Sequence, residues 1–161
     1  MMTHYKSIGY TQMNFKAVMI NNNKLTQHEV EIIKRTWGKV GDSVEVAIDF
    51  YNRLFYLSPV IRPMFKENIR LQARKFTTQI SVLVEKISLR DAGSPEMNAF
   101  GKLHRATLVR PDHYGVVKEA LFYTLKSHLK EEWNDCVEMA WIKFYKIIAA
   151  TMMSSSHYAK S

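Results

Sequence analysis

The sequence predicts an all-α fold, and three observations support that prediction. Apolar residues recur three or four positions apart along most of the chain, as they do on the buried side of a helix. Only 6 Gly and 4 Pro occur among 161 residues, which is few for a β protein with many turns. No stretch alternates apolar and polar residues over the length of a strand. A chain of this length suits one domain with a substantial core, so we expect helices of mixed length joined by short connections.

The first two helices are predicted from their caps. Thr26 and Glu29 have the spacing of a capping box, in which each side chain binds the backbone N–H of the other residue. The inward face of this helix is Val30, Ile33, Trp37 and Val40. Gly41 interrupts the pattern, and Asp42 or Ser43 can cap the second helix. Its expected inward face is Val44, Ala47, Ile48, Tyr51, Leu54 and Phe55.

The middle of the chain contains a short element and then a long helix. Pro59 ends the second helix or opens a short one, and Phe65 closes this piece. A long helix is expected from about Asn68 to Ser88. Its inward face is Ile69, Gln72, Phe76, Ile80, Leu83 and Ile87. Residues 93–96 are typical of a loop that leads into another helix.

Three further helices complete the prediction. The helix after the loop has an apolar stripe of Met97, Phe100 and His104 and ends before Pro111. Pro111 and Asp112 open the next helix, whose inward face is Tyr114, Val117, Leu121 and Leu125. The last helix is expected from about Glu131 to Met153, with Val137, Trp141, Phe144 and Ile148 facing inward.

Composition restricts the classes of function. The net charge is +8, but basic residues are spread from Lys6 to Lys160 without a long run, which favours a solvated basic surface over a nucleic-acid groove. Cys136 is the single cysteine, so no intrachain disulfide forms, and we expect it to be a core or helix-packing residue rather than a nucleophile. We find neither a secretory signal nor an apolar run near the ~20 residues of a membrane span. A cytoplasmic protein is the resulting expectation.

Three polar residues lie on otherwise apolar stripes: Tyr51, Gln72 and His104. Each has an ordinary structural explanation. A buried tyrosine usually bonds a backbone carbonyl, the glutamine can point to solvent, and an inward histidine is more often a hydrogen-bonded core residue than a ligand. Neutral imidazole is also the commonest protein ligand for metals, so His104 is a candidate iron ligand.

Five separated motifs, in order, resemble the globins, and more narrowly the single-domain bacterial globins of the flavohaemoglobin lineage, Hell's Gate type. They are Phe50-Tyr51-Asn52-Arg53-Leu54-Phe55, Met64-Phe65, Gln72-Ala73-Arg74-Lys75-Phe76, Leu103-His104-Arg105 and Pro111-Asp112-His113-Tyr114. The resemblance covers roughly residues 25–153. We therefore expect a globin fold of about six to eight helices around a haem pocket. The predicted domains are an N-terminal extension over 1–24, a globin domain over 25–155 and a C-terminal tail over 156–161.

The resemblance implies haem b as the cofactor and a role for each matching residue. His104 matches the proximal ligand of the iron, Tyr114 supports it, and Phe65 stacks on the porphyrin. Tyr51, Gln72 and Phe76 match the distal residues that surround the gas ligand. Further expected cofactor contacts are Val117 and the basic residues Lys75, Arg74, Arg105 and His113, which are candidates to pair with the propionates.

The distal residues lead to a predicted function. A dioxygen ligand carries partial negative charge, which the Tyr51 hydroxyl and the Gln72 amide can stabilise. We expect reversible, high-affinity dioxygen binding, with carbon monoxide and nitric oxide as other ligands. Because Gln72 stands where a distal histidine would, bis-histidyl coordination is not expected.

Two alternative functions stay open. Nitric oxide dioxygenase activity would use the same distal pair with an external reductase, since no flavin or nicotinamide domain is recognised. Ser156 stands where the lineage has a glutamate, which weighs against peroxidase-like chemistry. A haem-free regulatory helical domain is the third reading, and the retention of His104, Tyr51 and Gln72 argues against it.

Overall fold

The computed structural model describes the backbone of residues 24–87 and 111–157 and the side chains within 24–87 and 112–150. Its α-helices are α1 (Gln27–Val40), α2 (Val44–Leu57), α3 (Ile69–Lys86), α4 (Tyr114–Leu129) and α5 (Asp135–His157). Short 3₁₀ helices cover Pro59–Met64, Pro111–His113 and Lys130–Glu132. No strand occurs in these described ranges. The predicted all-α class is therefore confirmed.

The two predicted N-terminal caps are present. In the capping box of α1, the backbone N–H of Glu29 donates to Thr26 Oγ1 at 3.2 Å, and the backbone N–H of Thr26 donates to Glu29 Oε2 at 2.7 Å. For α2 the cap is Ser43 rather than Asp42, because the Ser43 hydroxyl accepts from the Val46 N–H at 3.4 Å. These bonds satisfy N–H groups that the first turn of a helix leaves unpaired.

The last helix begins four residues later than predicted. Lys130 has φ 52°, a left-handed conformation that an α-helix does not pass through, so the chain turns between α4 and α5. Asn134 then caps α5, with its Oδ1 accepting from the Val137 N–H at 3.1 Å. At the other end α5 continues to His157, four residues beyond the predicted Met153.

The core lies where α2 packs against α3 and α4, and where α1 packs against α5. The predicted inward faces of α1 and α5 are buried throughout. On α2 the buried arc is wider than one stripe, because the helix is contacted from two sides. Val46 and Phe50 are buried as well, while Val44 and Ile48 are only half-buried.

Polar contacts tie α1 to α5 inside this core. Trp141 Nε1 donates to Thr36 Oγ1 at 3.0 Å. The ammonium of Lys143 contacts both carboxylate oxygens of Glu29 at 3.0 and 2.9 Å, and the Lys143 side chain is 3% exposed. A buried charge needs such a partner, so this ion pair holds the start of α1 against the middle of α5.

The prediction that Cys136 is a core or helix-packing residue is wrong. Cys136 is exposed in the first turn of α5. Val137, the next residue, takes the inward position at 1% exposure, which turns the preceding thiol to solvent.

Several predictions concern residues that the structure does not describe: all but the last residue of the extension over 1–24, the loop at 93–96 and the helix carrying His104. For the described residues, none of the helices combines the length and apolarity that crossing a bilayer requires.

Candidate functional site

Tyr51 and Gln72 meet between α2 and α3. Tyr51 is 4% exposed, and Gln72 is half-buried in the second turn of α3. The Gln72 Nε2 donates a hydrogen bond of 3.2 Å to the Tyr51 hydroxyl oxygen. The alternative reading of Gln72, as a side chain that simply points to solvent, is therefore wrong.

Aromatic rings surround this polar pair. We call Tyr51, Phe50, Phe55, Phe65 and Phe76 the aromatic cluster. The Tyr51 ring lies edge-on to Phe65 at 5.4 Å and to Phe76 at 5.8 Å between ring centroids. Phe50 stacks on Phe76 at 4.4 Å with an interplanar angle of 13°. These rings keep the Tyr51 hydroxyl in a low-dielectric setting, where a hydrogen bond is stronger than in water.

Burial keeps the Tyr51 phenol neutral. Desolvation raises the pKa of Tyr51 to about 12, and the hydrogen bond from Gln72 offsets part of that rise. Because the hydroxyl oxygen accepts from Gln72, its own proton remains to be donated. Within 24–87 and 112–150, no side chain or carbonyl accepts that proton. The Tyr51 hydroxyl is therefore held by Gln72 with a proton that no described residue accepts.

The described residues fit a haem. Phe65, Phe76, Ile69 and Val117 pack against the core and yet stay only half-buried, which leaves apolar side-chain area to contact a flat apolar group. The polar pair of Tyr51 and Gln72 is neutral and offers a hydrogen-bond donor, which is what a polarised gas ligand needs. His104 and Arg105, the predicted iron ligand and its neighbour, lie outside the described residues.

The predicted propionate partners differ in their surroundings. Lys75 Nζ is already paired with Glu67, at 2.8 and 2.7 Å from its two carboxylate oxygens. Arg74 is exposed, and His113 is half-buried with a partner of its own. A propionate would compete with Glu67 for the Lys75 ammonium. The propionate assignments stay predictions.

Tyr145 is a residue that the sequence analysis missed. Its hydroxyl, on α5, donates to the backbone carbonyl of Tyr114. Burial, together with the nearby Tyr114, raises the pKa of Tyr145 far above its usual value. Burial also raises the pKa of Tyr114, the predicted support of the proximal ligand. The sequence feature that could have identified Tyr145 is its position four residues after Trp141, which places it beside the inward face of α5.

The sequence profile of the globin family matches residues 48–152. Neuroglobin-1 of Oncorhynchus mykiss is 26% identical over 144 residues, which cover 80% of this chain and 91% of that protein. An anaerobic nitrite reductase of Brassica napus is 26% identical over 140 residues, covering 77% of this chain and 87% of that protein. Another anaerobic nitrite reductase, of Arabidopsis thaliana, is 24% identical over 152 residues, covering 84% of this chain and 96% of that protein.

These comparisons confirm the predicted family at its broad level. The relatives named above come from a fish and two plants, so they support the globins in general and not the narrower bacterial lineage. The matched segment contains the whole aromatic cluster and runs from the middle of α2 into α5. With about two thirds of its length matched, and with an all-helical fold, this chain belongs to the globin family, whose cofactor is haem.

Proposed function

We propose that this globin binds dioxygen reversibly at haem b and that Tyr51 and Gln72 hold the ligand. The hydrogen bond from Gln72 to Tyr51 is the observation that carries the proposal. It fixes the direction of a buried hydroxyl whose proton is still available. A donor that is fixed before the ligand arrives costs little reorganisation when the ligand binds.

Each residue of the site has its own proposed role in ligand binding. Haem, when bound, would supply an iron able to take a diatomic gas, and His104 would hold that iron. The Tyr51 hydroxyl would donate a hydrogen bond to a polar ligand, while Gln72 keeps that hydroxyl oriented. Phe65 and Phe76 exclude water, which strengthens the donor and protects the ligand.

The test of the donor role compares two ligands of different polarity. We expect Tyr51→Phe to speed dioxygen release about tenfold or more, since a buried hydrogen bond to a charged acceptor contributes about 1.5–3 kcal/mol. Carbon monoxide is less polarised, so its release should change much less. Tyr123→Phe, at a residue 52% exposed on α4, is the matched control. Equal acceleration of both ligands in Tyr51→Phe would contradict the donor role.

The iron-ligand assignment has its own test. His104→Ala should lose haem or hold it loosely, because the imidazole would no longer bind the iron. His28→Ala, at an exposed position on α1, is the control. The Soret absorbance after haem reconstitution measures retention. Full retention with a wild-type ferrous spectrum in His104→Ala would refute the assignment.

We also propose that this chain belongs, within the globins, to the single-domain bacterial lineage, because Gln72 stands where other globins have a distal histidine. It is tested by the ferrous spectrum without added ligand. A five-coordinate spectrum is expected, and a bis-histidyl six-coordinate spectrum would contradict this placement.

The cytoplasmic location also stays a proposal, and fractionation of the native cells tests it.

Nitric oxide dioxygenase activity is the second candidate, because it would use the same Tyr51 donor with an external reductase. Mixing the oxygenated protein with nitric oxide, followed by a cellular reductase, separates this activity from simple dioxygen binding. A fast reaction without re-reduction of the iron excludes a catalytic cycle.

The plant relatives are named as nitrite reductases. Anaerobic mixing of the ferrous protein with nitrite, with Tyr51→Phe as comparison, tests whether that activity extends to this chain.

A further inference from the structure

Exposed cations, with exposed apolar side chains among them, lie beside the aromatic cluster. We call this surface the cationic face. Its members are all exposed: Val60, Arg62, Met64, Lys66, Arg70, Leu71, Arg74 and Lys75. Between Arg62 and Lys75 the chain has five basic residues and one acidic residue, a net charge of +4. This segment therefore carries half of the chain's net charge of +8.

Members of the face on α3 share a side of that helix, and Arg62 reaches the site. Arg70 and Arg74 are one helical turn apart on α3 and so lie on the same side, as do Leu71 and Lys75. The Arg62 guanidinium donates to the carbonyl of Phe65 at 3.2 Å, and it lies 5.0 Å from the centre of the Phe55 ring. One end of the cationic face thus contacts the aromatic cluster directly.

Much of the positive charge is not neutralised locally. Arg70 pairs with Glu45 at 2.8 Å, and Lys75 pairs with Glu67. Lys66 and Arg74 form no ion pair with the residues that the structure describes. Both pairs that do exist are largely exposed, and such pairs are weak and exchangeable.

Exposed apolar side chains lie among these cations. Val60 is 74% exposed, Met64 39% and Leu71 48%. Among the described residues, they are half of the large apolar side chains that are exposed to this degree. Protein interfaces typically combine such apolar anchors with arginine and a charged rim.

The arrangement favours a protein over a lipid surface. An interfacial helix needs a continuous apolar side to bury in the lipid. The apolar side of α3 is already used in the core, where Ile80 and Leu83 are buried. Cations separate the apolar side chains that remain outside, which suits a folded acidic surface instead.

We propose that the cationic face binds an acidic one-electron donor protein, of the flavodoxin or ferredoxin class, which returns ferric cofactor to the ferrous form. The proposal rests on the proposed haem function. One electron leaves the reduced flavin or iron–sulfur group of the donor and reduces the ferric iron, and no bond forms or breaks in either protein. Complementary charge would speed the encounter and orient the donor toward the aromatic cluster.

The test uses haem-loaded protein with reduced flavodoxin as the probe. The variant is Lys66→Glu with Arg70→Glu. The control is Lys126→Glu with Lys146→Glu, at exposed residues of α4 and α5, which changes the net charge equally. Two readouts are measured: the bimolecular rate of ferric reduction at several salt concentrations, and binding by calorimetry, which does not depend on turnover.

The expected result is specific to the face. At low salt the face variant should reduce at least about tenfold more slowly and bind more weakly, while the control changes little. The wild-type rate should fall with added salt, and the face variant's rate should be nearly flat. Leu71→Ser should weaken binding without changing the salt slope, because it removes an apolar contact only.

Several outcomes would overturn the proposal. Equal losses in the face variant and the control would mean that net charge alone matters. Binding to phosphatidylserine vesicles that is lost in the face variant, without any loss of flavodoxin binding, would assign the face to a membrane. If the Soret band and dioxygen binding are normal but flavodoxin shows no salt-dependent binding, the docking proposal alone is overturned. Failure to retain haem would instead overturn the proposed function.

Discussion

The side-chain amide of Gln72 donates a hydrogen bond of 3.2 Å to the hydroxyl of Tyr51 and so joins α3 to α2 inside the aromatic cluster. The two residues are 21 positions apart in the sequence, on separate helices. Their contact makes one polar unit of two side chains, in which Gln72 orients the proton of Tyr51. Substitutions at the two positions should therefore influence each other.

A double-mutant cycle tests this coupling. Gln72→Leu should speed dioxygen release, because the Tyr51 hydroxyl loses the bond that orients it. Tyr51→Phe should speed release more, and the double variant should be little faster than Tyr51→Phe alone. We expect a coupling of about 1 kcal/mol from the release rates of the four proteins. Purely additive effects would show that the two side chains act independently.

Alkaline pH should destabilise the fold through Tyr51. The pKa of Tyr51 is raised by burial from 10.0 to about 12, so the folded protein keeps a proton that the unfolded chain releases. The stability is therefore complete below pH 10 and is lost as the pH rises toward about 12. Urea unfolding at stepped pH values measures the loss.

The Tyr51→Phe protein is the comparison for the alkaline titration. It should lose less stability over that window than the wild type, because one titrating group is gone. Burial raises the pKa of Tyr114 and Tyr145 as well, so a smaller loss in the same direction should remain. Identical pH profiles in the two proteins would contradict the role of Tyr51.

The buried ion pair between Lys143 and Glu29 should matter more than an exposed one. Lys143→Met leaves the Glu29 carboxylate buried, with the Thr26 N–H as its one remaining partner among the described residues. We expect a loss of about 3 kcal/mol in unfolding free energy. Lys39→Met breaks the exposed pair with Glu132 and should cost under about 1 kcal/mol. Urea unfolding measures both, and equal losses would contradict the distinction.

Tyr145→Phe should have a small effect on stability and a local effect on α4. The substitution removes the hydroxyl that donates to the Tyr114 carbonyl. That carbonyl lies in the first turn of α4, where the helical bond to the chain four residues later can still satisfy it, so we expect a loss of about 0.5–1.5 kcal/mol. Amide hydrogen exchange should change in the first turn of α4 while that of α1 is preserved. Unchanged exchange throughout α4 would contradict the contact.

Helix positions were predictable because they depend on neighbouring residues. The capping box of Thr26 and Glu29, the stop at Pro59 and the periodic faces of α1 and α5 are local patterns, and the structure has all of them. The predicted start of α5 was wrong, because the turn at Lys130 depends on a backbone conformation that no local residue pattern specified. Likewise the exposed Cys136 shows that residue type alone does not settle burial.

The sequence by itself determined the helical class, most helix boundaries and which polar residues stand on apolar stripes. Only the tertiary structure decided which of those residues meet: Gln72 with Tyr51, Phe50 with Phe76, Tyr145 with Tyr114 and Lys143 with Glu29. Periodicity states which side of a helix faces inward. The packing of one helix on another decides the partners, because those contacts join residues far apart in the chain whose distances no local pattern records.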